Sequence, residues 1–202
     1  MFKEGRAIRQ GELLSYIIAS GDMRYIEINK RDVYLRGDPQ KGLLIRGEVP
    51  ECGPDCDVNL SHILLEHAMS CSGCKEQKMA RDIADQFGRR LGQTLAIWLC
   101  QDAPETPHCD QLCDSFEVIL KSMDAPYQRE CNDEVLVYDV EECPLLDTAN
   151  SNGFSQWTPM ARHSFVSICE SVISTLQPNW NLQRPNGVDA GGPIRRIAIA
   201  KK

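Results

Sequence analysis

Two close pairs of cysteines constrain the fold of this chain more than any other feature of its sequence. Cys52 and Cys56 form the first pair, Cys71 and Cys74 form the second, and fourteen residues separate the pairs. The positions inside the pairs hold Gly, Pro, Asp and Ser, which favour turns that bring two thiolates onto one ion. Four cysteines at this spacing predict a four-coordinate metal site.

The spacing leaves the identity of the metal open. Zinc takes four thiolates in a closed tetrahedral site, whereas an iron–sulfur cluster uses the same four ligands around a larger core. We expect structural zinc, with an iron–sulfur cluster as the alternative cofactor. His62 and His67 lie between the pairs, and either could replace a cysteine as a ligand.

A third interpretation of the same cysteines involves no metal. Cys71 and Cys74 precede a long predicted helix, and the unpaired amides at a helix N-terminus favour a thiolate. The two residues could then form a thiol redox pair, although the βαβ pattern that usually surrounds such a pair is missing. Otherwise the thiols are buried side chains.

The net charge and the hydropathy of the chain indicate which partners and which location to expect. The chain has 22 basic and 29 acidic residues, a formal charge of −7, which argues against a nucleic-acid partner. No apolar run is long enough to span a bilayer, and residues 1–6 lack the apolar stretch of a secretory signal. We therefore expect no membrane association and a cytoplasmic location, where ten cysteines favour metal or redox chemistry over disulfides.

The patterning of apolar residues predicts an α+β fold, because helices and strands come in runs and do not alternate strictly. We predict three regions. Residues 1–50 form a helix and a small β meander, and residues 51–75 form a Cys-rich metal-binding segment. Residues 76–202 form an α+β core domain in which helices pack on a short antiparallel sheet. The predicted helices are 8–18, 62–69 with Ser61 as N-cap, 76–99, 109–123 and 159–176, and the predicted strands are 24–28, 32–35, 43–46, 135–140, 181–183 and 194–200.

Two glycines interrupt the longest predicted helix. Its apolar stripe consists of Ile83, Phe87, Leu91, Leu95 and Trp98. Gly88 and Gly92 lie four residues apart inside it, and each weakens the helix by about 1 kcal/mol relative to alanine. Such a pair indicates a close approach by another helix or by a ligand.

Cys143 is the candidate nucleophile. It follows a largely apolar strand and precedes Pro144, a residue suited to the first turn of a helix, where a thiolate is favoured. His163 is the candidate base, and Glu141 or Glu142 could orient it. The alternative is that Cys143 is a structural thiol.

Four further cysteines could form a second metal site. Cys109 and Cys113 lie one turn apart on a predicted helix, and Cys100 or Cys131 could join them. Core packing of small thiols is the alternative for this group, and it is the expected role of Cys169 on its apolar helix face.

The region from about residue 80 to 200 resembles the vinyl-reductase and TRAPP-like ligand-binding fold and the aminothiazoline-carboxylate hydrolase group. The residues that carry the resemblance are Gly88, Gly92, Cys143-Pro144, Gly153, and the helix through His163 and Cys169. The resemblance implies an α+β ligand-binding fold and transfers no catalytic residue.

These observations lead to three functional hypotheses. The first is a metal-binding module that binds a small apolar ligand or a protein partner, such as a second copy of the chain. The second is an iron–sulfur electron-transfer or assembly component. The third is a hydrolase that depends on Cys143, or a thiol redox enzyme.

Overall fold

The computed structural model describes residues 25–28, 31–38, 40, 42–49, 53–57, 59–71, 77–102, 108–141, 144–183 and 195–202. Within these ranges it contains five α-helices and two four-stranded antiparallel sheets. The predicted α+β class is therefore confirmed. The helix predicted over 8–18 lies outside the described residues.

The first sheet is a meander of consecutive strands. Its members are β1 (Tyr25–Ile28), β2 (Arg31–Asp38), β3 (Gly42–Val49) and β4 (Gly53–Asp57), in the order β1-β2-β3-β4. The first three confirm the predicted meander. The fourth was missed, because its residues Gly53, Pro54 and Asp55 are poor strand formers and β4 forms by pairing with β3.

The helices match the predicted ones closely. They are α1 (Leu60–Ser70), α2 (Gln77–Asp102), α3 (His108–Ser122), α4 (Pro144–Asn152) and α5 (Thr158–Leu176), with a short 3₁₀ turn at Ser155–Trp157. The predicted N-cap of α1 is wrong. Asn59 is the cap, since its side-chain oxygen accepts a hydrogen bond from His62 N at 2.9 Å, and Ser61 is a buried residue of the first turn.

The second sheet lies in the C-terminal half of the chain. Its strands are β5 (Tyr127–Cys131), β6 (Val135–Val140), β7 (Trp180–Gln183) and β8 (Arg196–Lys201), in the order β5-β6-β8-β7. Strand β8 is the last strand in the sequence, yet it is an inner strand of the sheet and pairs with β6 and β7.

Helix α2 packs closely against α5 at its two glycines. A Cβ on Gly88 would lie 2.8 Å from Ser167 Cβ and closer still to Ser164 O, and a Cβ on Gly92 would lie 2.5 Å from Ile168 O. Both distances are too short for a side chain. The two glycines therefore allow the helix–helix approach that the sequence predicted.

Among the described side chains, the apolar stripes are buried with one exception, and the side chain of Trp98 lies outside the described ones. Phe87, Leu91 and Leu95 of α2 belong to the core, whereas Ile83 is 37% exposed, and the prediction that it faces inward is wrong. The face predicted for α5 is buried throughout: its members are Ala161, Phe165, Ile168, Val172 and Leu176.

The first sheet joins the same core through β3. Leu43 is buried in the core cluster, and its backbone N–H donates a hydrogen bond of 2.7 Å to Ser122 Oγ at the end of α3. Gly42 adopts φ = +96° there, and an added Cβ would lie 2.8 Å from Ser122 N. These contacts fasten the meander to the helical part of the molecule.

No helix in the described ranges combines the length and the apolar character that a bilayer crossing would need.

Candidate functional site

Two of the four paired cysteines, Cys56 and Cys71, lie in the described part of the chain. Cys56 is in β4, opposite Ile45 of β3, and Cys71 directly follows α1 and is only 4% exposed. Cys52 and Cys74 lie outside the described residues. The four-cysteine metal site therefore stays a prediction, because the structure describes the backbone of only two of its four residues.

His67 is the described side chain that accompanies Cys71. Its Nδ1 lies 3.8 Å from Cys71 Sγ, and its ring stacks on Phe87 of α2 with the ring centroids 3.8 Å apart. Burial lowers the pKa of His67 to about 4, so that the imidazole is neutral near pH 7. Neutral imidazole is the form that binds metals, which keeps His67 as a candidate ligand.

His62 has a different environment. Its Nε2 lies 3.1 Å from Glu66 Oε1 on the same helix, and its ring centroid is 6.1 Å from that of Phe154. In the parts of the chain that the structure describes, no three side chains of His, Cys, Asp or Glu converge on one point. His62 is thus paired with Glu66, whereas His67 lies beside Cys71.

The position of Cys71 differs from the helix N-terminus that the sequence suggested. Cys71 caps the C-terminal end of α1, where its backbone N–H donates to the carbonyls of His67 and Met69, and α2 begins only at Gln77. The carbonyl end of a helix carries partial negative charge and disfavours a thiolate. The macrodipole argument for a reactive Cys71 consequently fails.

The other cysteines lie in several environments. Cys113 of α3 and Cys169 of α5 are buried, which confirms the core position expected for Cys169, and burial raises the pKa of the Cys169 thiol. Cys131 is exposed at the end of edge strand β5. Cys100 and Cys109 lie on α2 and α3. The second metal site stays untested.

The candidate base His163 contacts a carboxylate on the neighbouring helix. Its Nε2 lies 3.8 Å from Asp85 Oδ1, and its side chain is 45% exposed. Cys143 lies outside the described residues, although Pro144 begins α4 as predicted. Glu141 is exposed and its backbone N–H donates to Pro126 O. The described partner of His163 is therefore Asp85.

Asp85 links α2 to α5 through several donors. Ser167 Oγ donates to Asp85 Oδ1, and Arg89 donates from Nε at 3.0 Å and from Nη2 at 2.9 Å to Oδ2. Burial raises the pKa of Asp85, but these hydrogen bonds and the nearby charges of Arg89 and His163 outweigh it and hold the pKa below its usual value. The carboxylate thus stabilises the helix pair in its ionised form.

Replacing Asp85 with asparagine should lower the free energy of unfolding by about 1–2 kcal/mol at pH 7, since charge-assisted hydrogen bonds are lost. Because the folded-state pKa is depressed, this stabilisation is fully present above the ordinary carboxyl pKa and is lost as the pH falls through the lower folded-state pKa. Urea unfolding at pH 7 and at pH 3 would measure the difference. Asp82→Asn on the exposed face of α2 is the control, and an equal loss at both pH values would contradict the assignment.

Several buried polar atoms lack a hydrogen-bond partner among the described residues. They are Ser61 Oγ of α1 and, on α5, Thr158 Oγ1, Arg162 Nε, Arg162 Nη1 and Ser164 Oγ. Sequence reasoning missed this group. A signal was present, because Thr158, Arg162, Phe165 and Cys169 recur at spacings of three and four, which places a charge on an apolar face.

The described geometry thus offers two features for function, the corner formed by Cys71 and His67 and the unpartnered polar groups at the start of α5. No protein family model, no curated protein and no solved structure matches this chain.

Proposed function

We propose that this chain is a cytoplasmic binding module in which a structural zinc ion, held by Cys52, Cys56, Cys71 and Cys74, fixes residues 51–75 against the helical core. The observation that carries the proposal is the buried Cys71 beside His67. Thiolate and imidazole are the donors that zinc prefers, and His67 stacks on α2, so a metal here would be anchored to the core.

The positions of the two placed cysteines explain what such an ion would do. Cys56 belongs to the first sheet and Cys71 to the end of α1, and Cys74 stands between α1 and α2. A metal bound by all of them would connect the sheet with two helices. Binding free energy at a structural zinc site is folding free energy, so the ion would stabilise this junction directly.

Elemental analysis of anaerobically purified protein, with an ultraviolet–visible spectrum of the same sample, tests the proposal. We expect about one zinc per chain, lost in Cys71→Ser and kept in Cys131→Ser and Cys169→Ser, which change an exposed and a buried thiol elsewhere. Iron with acid-labile sulfide would select the electron-transfer or assembly alternative. Metal-free wild-type protein would contradict both.

The second part of the proposal is that the helical core binds a small ligand. The supporting observation is the set of buried, unpartnered polar atoms on α1 and α5, because a protein rarely buries such groups without a partner. A binding surface for a protein partner or a second copy of the chain is the alternative. Light scattering on the purified protein would detect a homo-oligomer.

A hydrolase that depends on Cys143, or a thiol redox enzyme, is the remaining alternative. It requires a reactive thiol, so Cys143 should be alkylated by iodoacetamide faster than the exposed Cys131. Mass spectrometry of peptides after brief labelling compares the two rates. Slower labelling of Cys143 would remove this alternative.

A further inference from the structure

Arg162 of α5 is a buried cation, and two of its three guanidinium nitrogens are unpartnered among the described residues. Its side chain is only 4% exposed, and its Nε and Nη1 atoms have no hydrogen-bond partner among the described residues. A guanidinium cannot shed its proton to escape this situation. A buried charge without a partner is strongly unfavourable, so Arg162 needs an anion that the described part of the chain does not supply.

Two hydroxyls that also lack a partner among the described residues lie on α5 and on α1, two helices that pack against each other. Thr158 lies one turn before it on the same face of α5, and Ser61 lies in the first turn of α1, which packs against α5. The contact between the rings of His62 and Phe154 places the start of α1 beside the residues that lead into α5. The unpartnered atoms of Ser61, Thr158 and Arg162 therefore lie on two helices that contact each other.

The first turn of α5 adds a favourable field. Trp157 precedes the helix and provides no side-chain cap, but Thr158 N–H already donates to Ser155 O in the preceding 3₁₀ turn, and Pro159 has no N–H. The N-terminal end of a helix carries partial positive charge and favours an anion. The helix end adds only this weak field, and the buried Arg162 is the observation that indicates an anionic ligand.

We propose that Arg162, Thr158 and Ser61 bind the carboxylate of a small organic acid with an apolar body. This inference rests on the proposal that the core binds a small ligand, and it names the class of that ligand. One carboxylate has roughly four acceptor positions, and the guanidinium together with the two hydroxyls would supply donors for them.

The surroundings select this class over a free inorganic anion. Leu60 beside Ser61 is buried, and Ala161 and Phe165 flank Arg162 in the core cluster. Dehydrating a phosphate in such surroundings is more costly than dehydrating one carboxylate whose remaining atoms are apolar. An apolar body would also gain by leaving water.

Calorimetric titration of the zinc-loaded wild-type chain with hexanoate, hexanamide and inorganic phosphate tests the proposal. We expect saturable binding of hexanoate, with hexanamide and phosphate at least tenfold weaker. Arg162→Met should weaken hexanoate binding about tenfold to a hundredfold, the range for losing hydrogen bonds to a charged group. Arg90→Met, the same substitution at an exposed position, should leave binding unchanged.

Folding of the variants is checked by thermal denaturation without ligand. Arg162→Met should unfold at a temperature equal to or above that of the wild type, because an apolar side chain replaces an unpaired buried charge. Arg162→Lys keeps the charge without the planar fork, and should keep the preference for hexanoate over hexanamide with weaker binding.

The remaining outcomes separate the two proposals. Equal binding of hexanoate and hexanamide, or unchanged hexanoate binding in Arg162→Met, would overturn the carboxylate site and leave a ligand-binding core. Binding of phosphate alone would also overturn it. Binding of none of the three probes would overturn the carboxylate site, while the zinc content of the same sample would still judge the metal proposal.

Discussion

Gly88→Ala is expected to lower the free energy of unfolding by about 2–3 kcal/mol, although alanine is the better helix former. Helix propensity alone would stabilise the variant by up to about 1 kcal/mol. The added Cβ, however, would overlap Ser164 O and lie 2.8 Å from Ser167 Cβ, so α2 and α5 must separate. Overpacking of this kind costs about 1–3 kcal/mol or more, which exceeds the gain from helix propensity.

Urea unfolding followed by circular dichroism measures this effect. Gly153→Ala is the matched control, because Gly153 has φ = +72° and open space around its Cβ position. That control carries backbone strain of about 1 kcal/mol without a clash. A stabilised Gly88→Ala variant would contradict the close helix contact, and Gly88→Ala with Gly92→Ala should be less stable than either single variant.

Phe116→Ala is expected to lower the free energy of unfolding by about 3–5 kcal/mol, the range for removing a fully buried aromatic side chain. Phe116 is 0% exposed on α3, and its ring stacks on Tyr138 of β6 with centroids 5.7 Å apart. Tyr138 in turn donates its hydroxyl to Cys113 O at 3.2 Å. The substitution therefore leaves a cavity between α3 and the second sheet.

Tyr127→Ala provides the comparison for Phe116→Ala. Tyr127 contacts the same Tyr138 ring from edge strand β5, at a centroid distance of 5.5 Å, but it is only half-buried. Tyr127→Ala should lower the free energy of unfolding by less than half as much as Phe116→Ala does, because less apolar surface is lost from the core. Equal losses measured by denaturant unfolding would show that burial does not govern this aromatic cluster.

The helices could be predicted because their apolar residues recur with the helical period. Phe87, Leu91 and Leu95 on α2, and Phe165 and Val172 on α5, are all buried. Gly88 and Gly92 indicated a close approach before its partner was known, and that partner is α5. Periodicity reports which face of an element is buried, but it does not name the opposing element.

The sequence analysis did not predict two of the strands, β4 and β5, and the reasons differ. Strand β4 contains Gly53, Pro54 and Asp55, and the pairing with β3 overrides their weak strand propensity. Strand β5 exposes Gln128, Arg129, Glu130 and Cys131, so it has no buried alternate positions to reveal it. A strand at a sheet edge is defined by its partner more than by its own pattern.

The site was only partly predictable. The spacing of the cysteines indicated a metal, but it could not show that Cys71 caps α1 or that His67 lies against it. Arg162 depends on which atoms surround one turn of α5, and no spacing rule reports an unused hydrogen-bond donor. Three-dimensional contacts decide both features.

The central place of β8 in the second sheet has a consequence for synthesis on the ribosome. Strand β6 pairs with β8 across some sixty positions of chain, so its second edge stays open until Lys201 has emerged from the exit tunnel. During translation the sheet consists of the β5–β6 hairpin alone, with Leu136 and Tyr138 not yet covered by Ile197 and Ile199. Such an open apolar edge attracts other strands. Chains released before residue 196 should therefore aggregate or require chaperones, whereas chains that contain β8 close the sheet.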